Sequence, residues 1–432
     1  MECGALCLPC CRAVRAFHVS DLRLAISNSD MRPFKTTIPI EEARGLLRAG
    51  VEPIARTETV PLAAAAGRVA ARDVAATIFV PPFSRSAMDG YAVVAADTRG
   101  ATRDTPVRLR IGERVFTGST PTRAIGPGTC AEIATGAPLP DGADAVVMVE
   151  ESSRADDEHV LIGAEAKPMQ NIGRKGADIS PGDLVLRTGD LLNPSRLGAV
   201  AAVGHSDVEV FAKPRVAILS TGNEVVEPGA PLAAGQIYDV NRFTLAAVVD
   251  AHGGIPVLHA PARDTLESLN TALDACDDAD VIIFSGGSSV GDRDLLIDLI
   301  AQRGEVVFHG IAVRPGKPTM FARIGGRPFF GMPGNPTSCL SNAYILLVPF
   351  LRATARLPLY APRTIAASLG RTIVSPANRH QFYTVRLEGT VALPAFKGSG
   401  DITSLSKADG YIEIPSDQHT VEEGTTVVVT LF

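Results

Sequence analysis

The sequence has no tryptophan, and aromatic residues make up only 5% of its 432 positions. That scarcity removes the stacking platforms on which single-stranded nucleic-acid binders depend. Neither charge sign dominates: 41 basic and 47 acidic side chains leave a formal net charge of -6, with the basic residues scattered along the chain. An extended polyanion is therefore excluded as a partner, while local cations remain available for a small anion. Long apolar runs are also missing. Apolar runs such as residues 281–284 and 344–351 stop well short of the roughly 18 residues that a membrane span needs. Cysteine is sparse and uneven: four of seven lie in the first eleven residues (Cys3, Cys7, Cys10, Cys11), and Cys130, Cys276 and Cys339 stand alone. An odd set so placed is no disulfide framework. With only eight histidines and no second cluster, it does not complete a four-ligand metal clip either. Glu2 and Pro9 spoil a signal peptide, so residues 1–31 read as a dispensable extension, with the folded protein starting near Met31.

What is present is ample apolar material, 46% of the chain, enough for about three domains. Residues 39–47 open with Pro39, Glu41 and Glu42, a helix start that complements the dipole, and a second helical piece is expected over residues 61–71. From Val80-Pro81-Pro82-Phe83 to about Lys167, short valine-rich runs alternate with Gly and Pro turns, predicting a small β-rich domain. Residues 181–203 return to the character of the chain before Ile78, so this β-rich domain is read as an insertion, which surface loops tolerate. The reading divides the chain into 32–78 plus 168–208, the inserted 79–167, an α/β domain over 209–357, and a C-terminal β domain over 358–432.

In the α/β domain, strands at 216–219, 255–258, 281–284 and 306–308 alternate with helical patterns, predicting a mainly parallel, helix-covered sheet. One connecting helix, from about Asn241 to Ala251, should end at Gly253-Gly254 in a left-handed cap. Beyond Pro358, short strands at 382–387, 411–414 and 426–431 predict a small barrel or sandwich.

Ligands in open parallel sheets sit outside the carboxyl ends of the strands, and four such edges carry chemistry. Strand 281–284 runs into Ser285-Gly286-Gly287-Ser288-Ser289-Val290-Gly291. There paired glycines let backbone amides converge on an anion before a helix with Leu295, Leu296, Leu299 and Ile300 on one face. The loop lacks the Gly-Lys-Ser/Thr ending of a Walker loop and the spacing of a dinucleotide fingerprint. Asp292 reads as a first-turn carboxylate of that helix, Asp294 as an acid placed to hold Mg²⁺ beside a phosphate. Asp264, just before another helix, fits either role. Arg314-Pro315-Gly316-Lys317-Pro318 puts two cations on a stiffened turn. In Gly331-Met332-Pro333-Gly334-Asn335-Pro336, Asn335 is placed to cap and Pro336 to open a helix over 337–351. Ser220-Thr221-Gly222-Asn223-Glu224 offers hydroxyls and a carboxylate suited to a nucleotide or a metal.

Together these edges resemble the molybdopterin-binding domain, and the chain from about Arg32 onward resembles the MoeA family of molybdopterin molybdenumtransferases. The resemblance extends to Ser86-Ala87-Met88-Asp89-Gly90-Tyr91-Ala92-Val93, and to Ala134-Thr135-Gly136-Ala137-Pro138 followed by Ala143-Asp144-Ala145-Val146-Val147. Asn171-Ile172-Gly173-Arg174-Lys175-Gly176-Ala177-Asp178-Ile179 and Ser399-Gly400-Asp401 through Ser404-Leu405 follow in the family's order. Gly310 and Arg314 stand where relatives carry lysine, and Ser84 where an acid is common. The resemblance implies a multidomain fold with a central molybdopterin-binding α/β domain. It implies a cytoplasmic transferase that inserts molybdate into adenylated molybdopterin with release of AMP, assisted by Mg²⁺ at Asp264 and Asp294. Catalytic roles are implied for Asp89, Thr135, Asp178, Glu224, Asp264 and Asp294. Substrate or phosphate binding is implied for Ser285, Gly286, Gly287, Ser289, Gly291, Arg314, Lys317, Pro333, Asn335 and Pro336. It also implies a homodimer, in which the inserted domain of one subunit meets the α/β domain of the other, and exchange with other cofactor-synthesis proteins. The competing reading is a non-catalytic pterin-binding or scaffolding protein. A nucleotide pyrophosphatase or amidohydrolase on the same α/β domain would leave the strings around Asp89 and Thr135 unexplained.

Overall fold

The computed structural model describes residues 37–287, 295–376 and 378–432. Helix Ile40–Ala49 starts after Pro39, carries Glu41 and Glu42 in its first turn and Arg48 in its last, and buries Ile40, Ala43 and Leu47. Those three side chains join the core of the α/β unit, packing with residues such as Phe321, Phe330 and Phe350. The expected second helix is largely absent: only Leu62–Ala64 forms a short 3-10 turn. Strand Thr57–Pro61 pairs antiparallel with Asp207–Phe211, and Val69 and Ala70 bridge to Leu191 and Val210. Extended pairing across the chain thus overrides the helix propensity of the alanine run.

Val60, Ala65, Leu186, Leu192, Val200 and Val210 close one core, so residues on both sides of the insertion build a common unit. Its helix, Pro194–Ala202, is capped by Asn193, whose side chain accepts from the Arg196 N–H at 2.9 Å. The insertion is a six-stranded sheet in the order Ala145–Met148, Gly90–Val93, Thr129–Ile133, Val107–Val115, His159–Ile162, Ser152–Arg154. Side-chain alternation gives it two apolar faces, with Tyr91, Val93 and Val147 in one cluster and Ala92, Ile133 and Val146 in the other.

The central sheet runs Ile255–Leu258, Arg215–Ser220, Val281–Ser285, Arg327–Met332, Met320–Ile324, Gly304–His309. The first four strands are parallel neighbours, whereas the strand expected at 306–308 joins at the far edge, antiparallel to Met320–Ile324. Between them sits a hairpin that the sequence reading passed over. Its turn is Gly325-Gly326, with φ of +57° and +81°. Two consecutive positive φ values make the primed turn that two-residue hairpins require. Helices Asn241–Ala251 and Pro336–Asn342 cover one face of the sheet; Leu266–Asp274 and Leu295–Arg303 cover the other. The first of these ends as expected, with Gly253 at φ +91°. The helix expected over 337–351 is interrupted: α-helix Pro336–Asn342 passes through a π turn, Ala343–Leu347, into α-helix Val348–Thr354. Pro349 has no N–H to return to the preceding turn, which accounts for the wider turn ahead of it.

The C-terminal strands Thr364–Leu369, His380–Glu388, Val391–Pro394, Gly410–Ile414 and Thr426–Leu431 close into a five-stranded barrel around Leu369, Val385, Ile412 and Val429. The barrel also holds the short strand Val313–Arg314 beside His380 and Gln381. That pairing carries barrel residues to the ligand edge of the α/β unit.

Candidate active site

The carboxyl ends of the parallel strands open into a cleft of about 1060 Å³. Its walls are the loops after Ser220, Ser285 and Met332, the turn from Arg314 to Pro318, and Arg379, Phe396, Ser399 and Gly400 from the C-terminal domain. The loops are tied together below the cleft. The Thr221 N–H donates to the Ser285 carbonyl at 2.8 Å, and the Gly286 N–H to Met332 at 3.1 Å. Asn241, at the start of its helix and only 7% exposed, donates through Nδ2 to Ser285 Oγ at 2.8 Å and to the Gly334 carbonyl at 2.7 Å. The glycines are demanded by space. A Cβ on Gly286, at φ +103°, would sit 2.3 Å from the Thr221 carbonyl oxygen, and one on Gly316, at φ +102°, 2.1 Å from Asn342 Nδ2. Both positions are closed to any side chain.

Charge is divided across the cleft. Arg314, Lys317 and Arg379 supply cations, and Glu224 and Asp264 supply carboxylates. The Asp264 carboxyl is pushed above its usual range, first by burial and then by the charge of Glu224. Thr265, not Asp264, caps the following helix, accepting from the Ser268 N–H at 3.2 Å. The Asp264 side chain is therefore left for other work. Deeper, Asp239 accepts from Ser220 Oγ at 2.8 Å and lies 3.1 Å from Arg242 Nε, with the two side chains 1% and 5% exposed. Arg242 also donates to the His259 carbonyl at 2.6 Å and pairs with Glu227. Removing one member of such a pair strands the other, so Arg242→Met should cost about 3–5 kcal/mol in equilibrium denaturation; a loss below about 1 kcal/mol would show that the pair does not hold this edge. Cys339 is fully buried, and burial pushes its thiol up to about 12. It is a neutral packing group beneath Ser285, not a nucleophile.

The structure brings Glu224, Asp264, Ser285, Gly286, Gly287, Arg314, Lys317, Pro333, Asn335 and Pro336 to this one cleft. Ser289, Gly291, Asp292 and Asp294 lie outside the described residues. Asp89 and Thr135 sit in the inserted domain, away from the cleft lining, where the Thr135 N–H donates to Asp89 Oδ1 at 2.7 Å. Asp178 is also outside the lining, exposed on the return segment, its N–H on the Val80 carbonyl at 3.0 Å. Asn335 occupies the cap position as expected but does not cap through its side chain. Its Nδ2 instead donates to Ser399 Oγ at 3.0 Å, drawing the C-terminal domain onto the cleft. Sequence reasoning gave no site role to Asp239, Asn241 or Arg379. The signal for the first two was a polar run, Asp239-Val240-Asn241-Arg242, at the start of a helix on the ligand side of the sheet; Arg379 had none.

Residues 38–204 match the MoeA N-terminal region (domain I and II), residues 217–353 the family described as "Probable molybdopterin binding domain", and residues 366–432 the MoeA C-terminal region (domain IV). The chain is 38% identical over 385 residues to Molybdopterin molybdenumtransferase 2 of Mycobacterium tuberculosis, covering 87% of this chain and 95% of that protein. It is 32% identical to the Molybdopterin molybdenumtransferase of Haemophilus influenzae, covering 91% and 98% of the two chains. Among solved structures, the molybdopterin biosynthesis moea protein of Pyrococcus horikosii superposes with a TM-score of 0.80 at 41% identity, covering 92% of this chain and 99% of that one.

Proposed function

The chain belongs to the MoeA family, and from that premise we propose that it inserts molybdate into adenylated molybdopterin and releases AMP, the final step of molybdenum cofactor biosynthesis. The observation that carries the reading is the cleft itself, in which a glycine cradle, three cations and two neighbouring carboxylates face one space. With the Gly286 N–H spent on the Met332 carbonyl, the Gly286-Gly287 turn suits the phosphate of the adenylate through the Gly287 amide. Arg314 and Lys317 suit an oxyanion, either that phosphate or molybdate. With arginine at 314, the donor geometry is a planar fork and not a point charge.

Asp264 and Glu224 fit a divalent cation. Burial and the neighbouring charge of Glu224 make Asp264 costly to ionise, and a bound cation would relieve that cost. Mg²⁺ commonly takes one or two carboxylates and completes its shell with phosphate oxygens and water. We assign Asp264 to this role, with Asp294 as the second ligand. The cation would neutralise charge on the phosphate as AMP leaves. The chain's own residues do the rest: they bind the adenylate by its phosphate, orient molybdate against it through Arg314 and Lys317, and limit water through the walls from the C-terminal domain.

Asp89, Thr135 and Asp178 are proposed to act from a second copy of the chain, so that the working enzyme is a cytoplasmic homodimer that exchanges substrate and product with other cofactor-synthesis proteins. Mixing two inactive variants tests this. Asp89→Ala and Asp264→Ala damage different halves of a shared site, so random heterodimers should recover about a quarter of the intact activity. No recovery after subunit exchange would place both residues in one subunit's site. The non-catalytic pterin-binding alternative is not favoured by relatives named as transferases.

A further inference from the structure

Among the described residues, the Thr221 hydroxyl below the cradle has no hydrogen-bond partner. Thr221 is 3% exposed, and its Oγ1 is buried without a hydrogen bond, although the residue lines the cleft. Its backbone is held from two sides: the N–H donates to Ser285 at 2.8 Å, and the residue bridges in parallel to Ala262. The sheet therefore fixes the backbone from which this side chain projects. A Cβ on Gly286 would lie 3.0 Å from Thr221 Oγ1, and one on Gly287 2.8 Å from it. Both glycines are thus bare on the side facing this hydroxyl. A buried hydroxyl without a partner costs free energy that a bound acceptor would restore.

We propose that Thr221 donates its hydroxyl to a phosphate oxygen of the ligand held in the Gly286-Gly287 cradle, making it a phosphate-binding residue of the site. This rests on the proposed function for the identity of the ligand, but not for the anion subsite. The ligand class is a phosphate or pyrophosphate group: the oxygen accepts from the hydroxyl while the Gly287 amide and the cations at Arg314 and Lys317 meet the remaining charge. Neighbouring Asn241 and Ser285 keep the two glycine loops together without using this hydroxyl.

The test compares Thr221→Val, which keeps the shape and removes the hydroxyl, with Thr221→Ser, which keeps the hydroxyl. Calorimetric binding is measured for inorganic pyrophosphate, AMP and adenosine, with circular dichroism and melting temperature as checks on folding. Thr221→Val should weaken pyrophosphate and AMP by about 10-fold, equivalent to about 1.4 kcal/mol, and leave adenosine unchanged. Thr221→Ser should stay within about 3-fold of the parent for all three. Unchanged pyrophosphate binding in a folded Thr221→Val variant overturns the proposal, as does an equal loss for pyrophosphate and adenosine. If the parent binds pyrophosphate but not AMP, the nucleotide reading fails, while the response of pyrophosphate to Thr221→Val still decides the subsite.

Discussion

Asp264→Asn is expected to slow molybdate-dependent AMP release by about two orders of magnitude or more, the usual scale for losing a preorganised electrostatic group, while making the folded protein more stable at neutral pH. The two effects share one cause. Burial and the charge of Glu224 raise the Asp264 pKa in the folded state. A raised folded pKa means that this carboxyl's contribution to stability is fully present below its unfolded value, near ~4, and is lost as pH rises through the folded value. At pH 7 the ionised Asp264 therefore weighs against folding, and a neutral amide of the same shape removes the burden. Melting curves in chelator-containing buffer should show the variant above the parent at pH 7, with the gap closing as pH falls toward 4. A variant less stable than the parent at pH 7 would show that Asp264 holds a structural partner, and full activity would remove it from the site.

Gly286→Ala is the second change with a large effect. The new methyl carbon would meet the Thr221 carbonyl oxygen at 2.3 Å, and the position holds φ +103°. Such backbone conformations cost a side-chain-bearing residue about 1–3 kcal/mol even without a clash. The loop must therefore move, and the cradle with it. Pyrophosphate affinity should fall by at least about 10-fold. Gly334→Ala supplies the contrast on the facing loop, because its Cβ would come no closer than 3.4 Å to anything, that being the Gly286 Cα. Its stability should stay within about 0.5 kcal/mol of the parent. Equal behaviour of the two variants in denaturation and binding would mean that the fit at Gly286 is not what shapes the cradle.

The parallel sheet and its ligand edge were readable because their signals are local. Short apolar runs such as residues 281–284, followed directly by Ser and Gly, mark strand ends. The barrel strand over residues 426–431 emerged with the same bounds, Thr426–Leu431. What escaped depended on partners distant in sequence. The alanine run after Pro61 looks helical in isolation, but Val69 and Ala70 are drawn to Leu191 and Val210, more than a hundred residues away. The hairpin at Gly325-Gly326 hides because Met320–Ile324 and Arg327–Met332 are apolar on both faces and show no alternation. Asn335 carried an ordinary capping signal, and only the approach of Ser399 turned its side chain elsewhere.

The candidate site was legible to the same extent. Glu224, Asp264, Arg314 and Lys317 follow predicted strands, and topology gathers strand ends on one edge. Asn241 and Asp239 work from beneath, through Ser285, Gly334 and Arg242, and spacing alone does not reveal such contacts. Arg379 reaches the cleft only because Val313–Arg314 pairs with His380 and Gln381. The strings around Asp89 and Thr135 named the family, yet their geometry is a hydrogen bond inside another domain. Identity and chemistry are thus carried by separate parts of the chain.

The most direct measurement of transferase activity is a single-turnover incubation of the intact protein with adenylated molybdopterin, molybdate and Mg²⁺, following AMP with time. AMP release is expected up to the amount of bound adenylate, dependent on molybdate and lost in Asp294→Ala. Absence of molybdate-dependent AMP release from the intact protein, with adenylated molybdopterin bound, would contradict the transferase reading and leave a pterin-binding protein in its place.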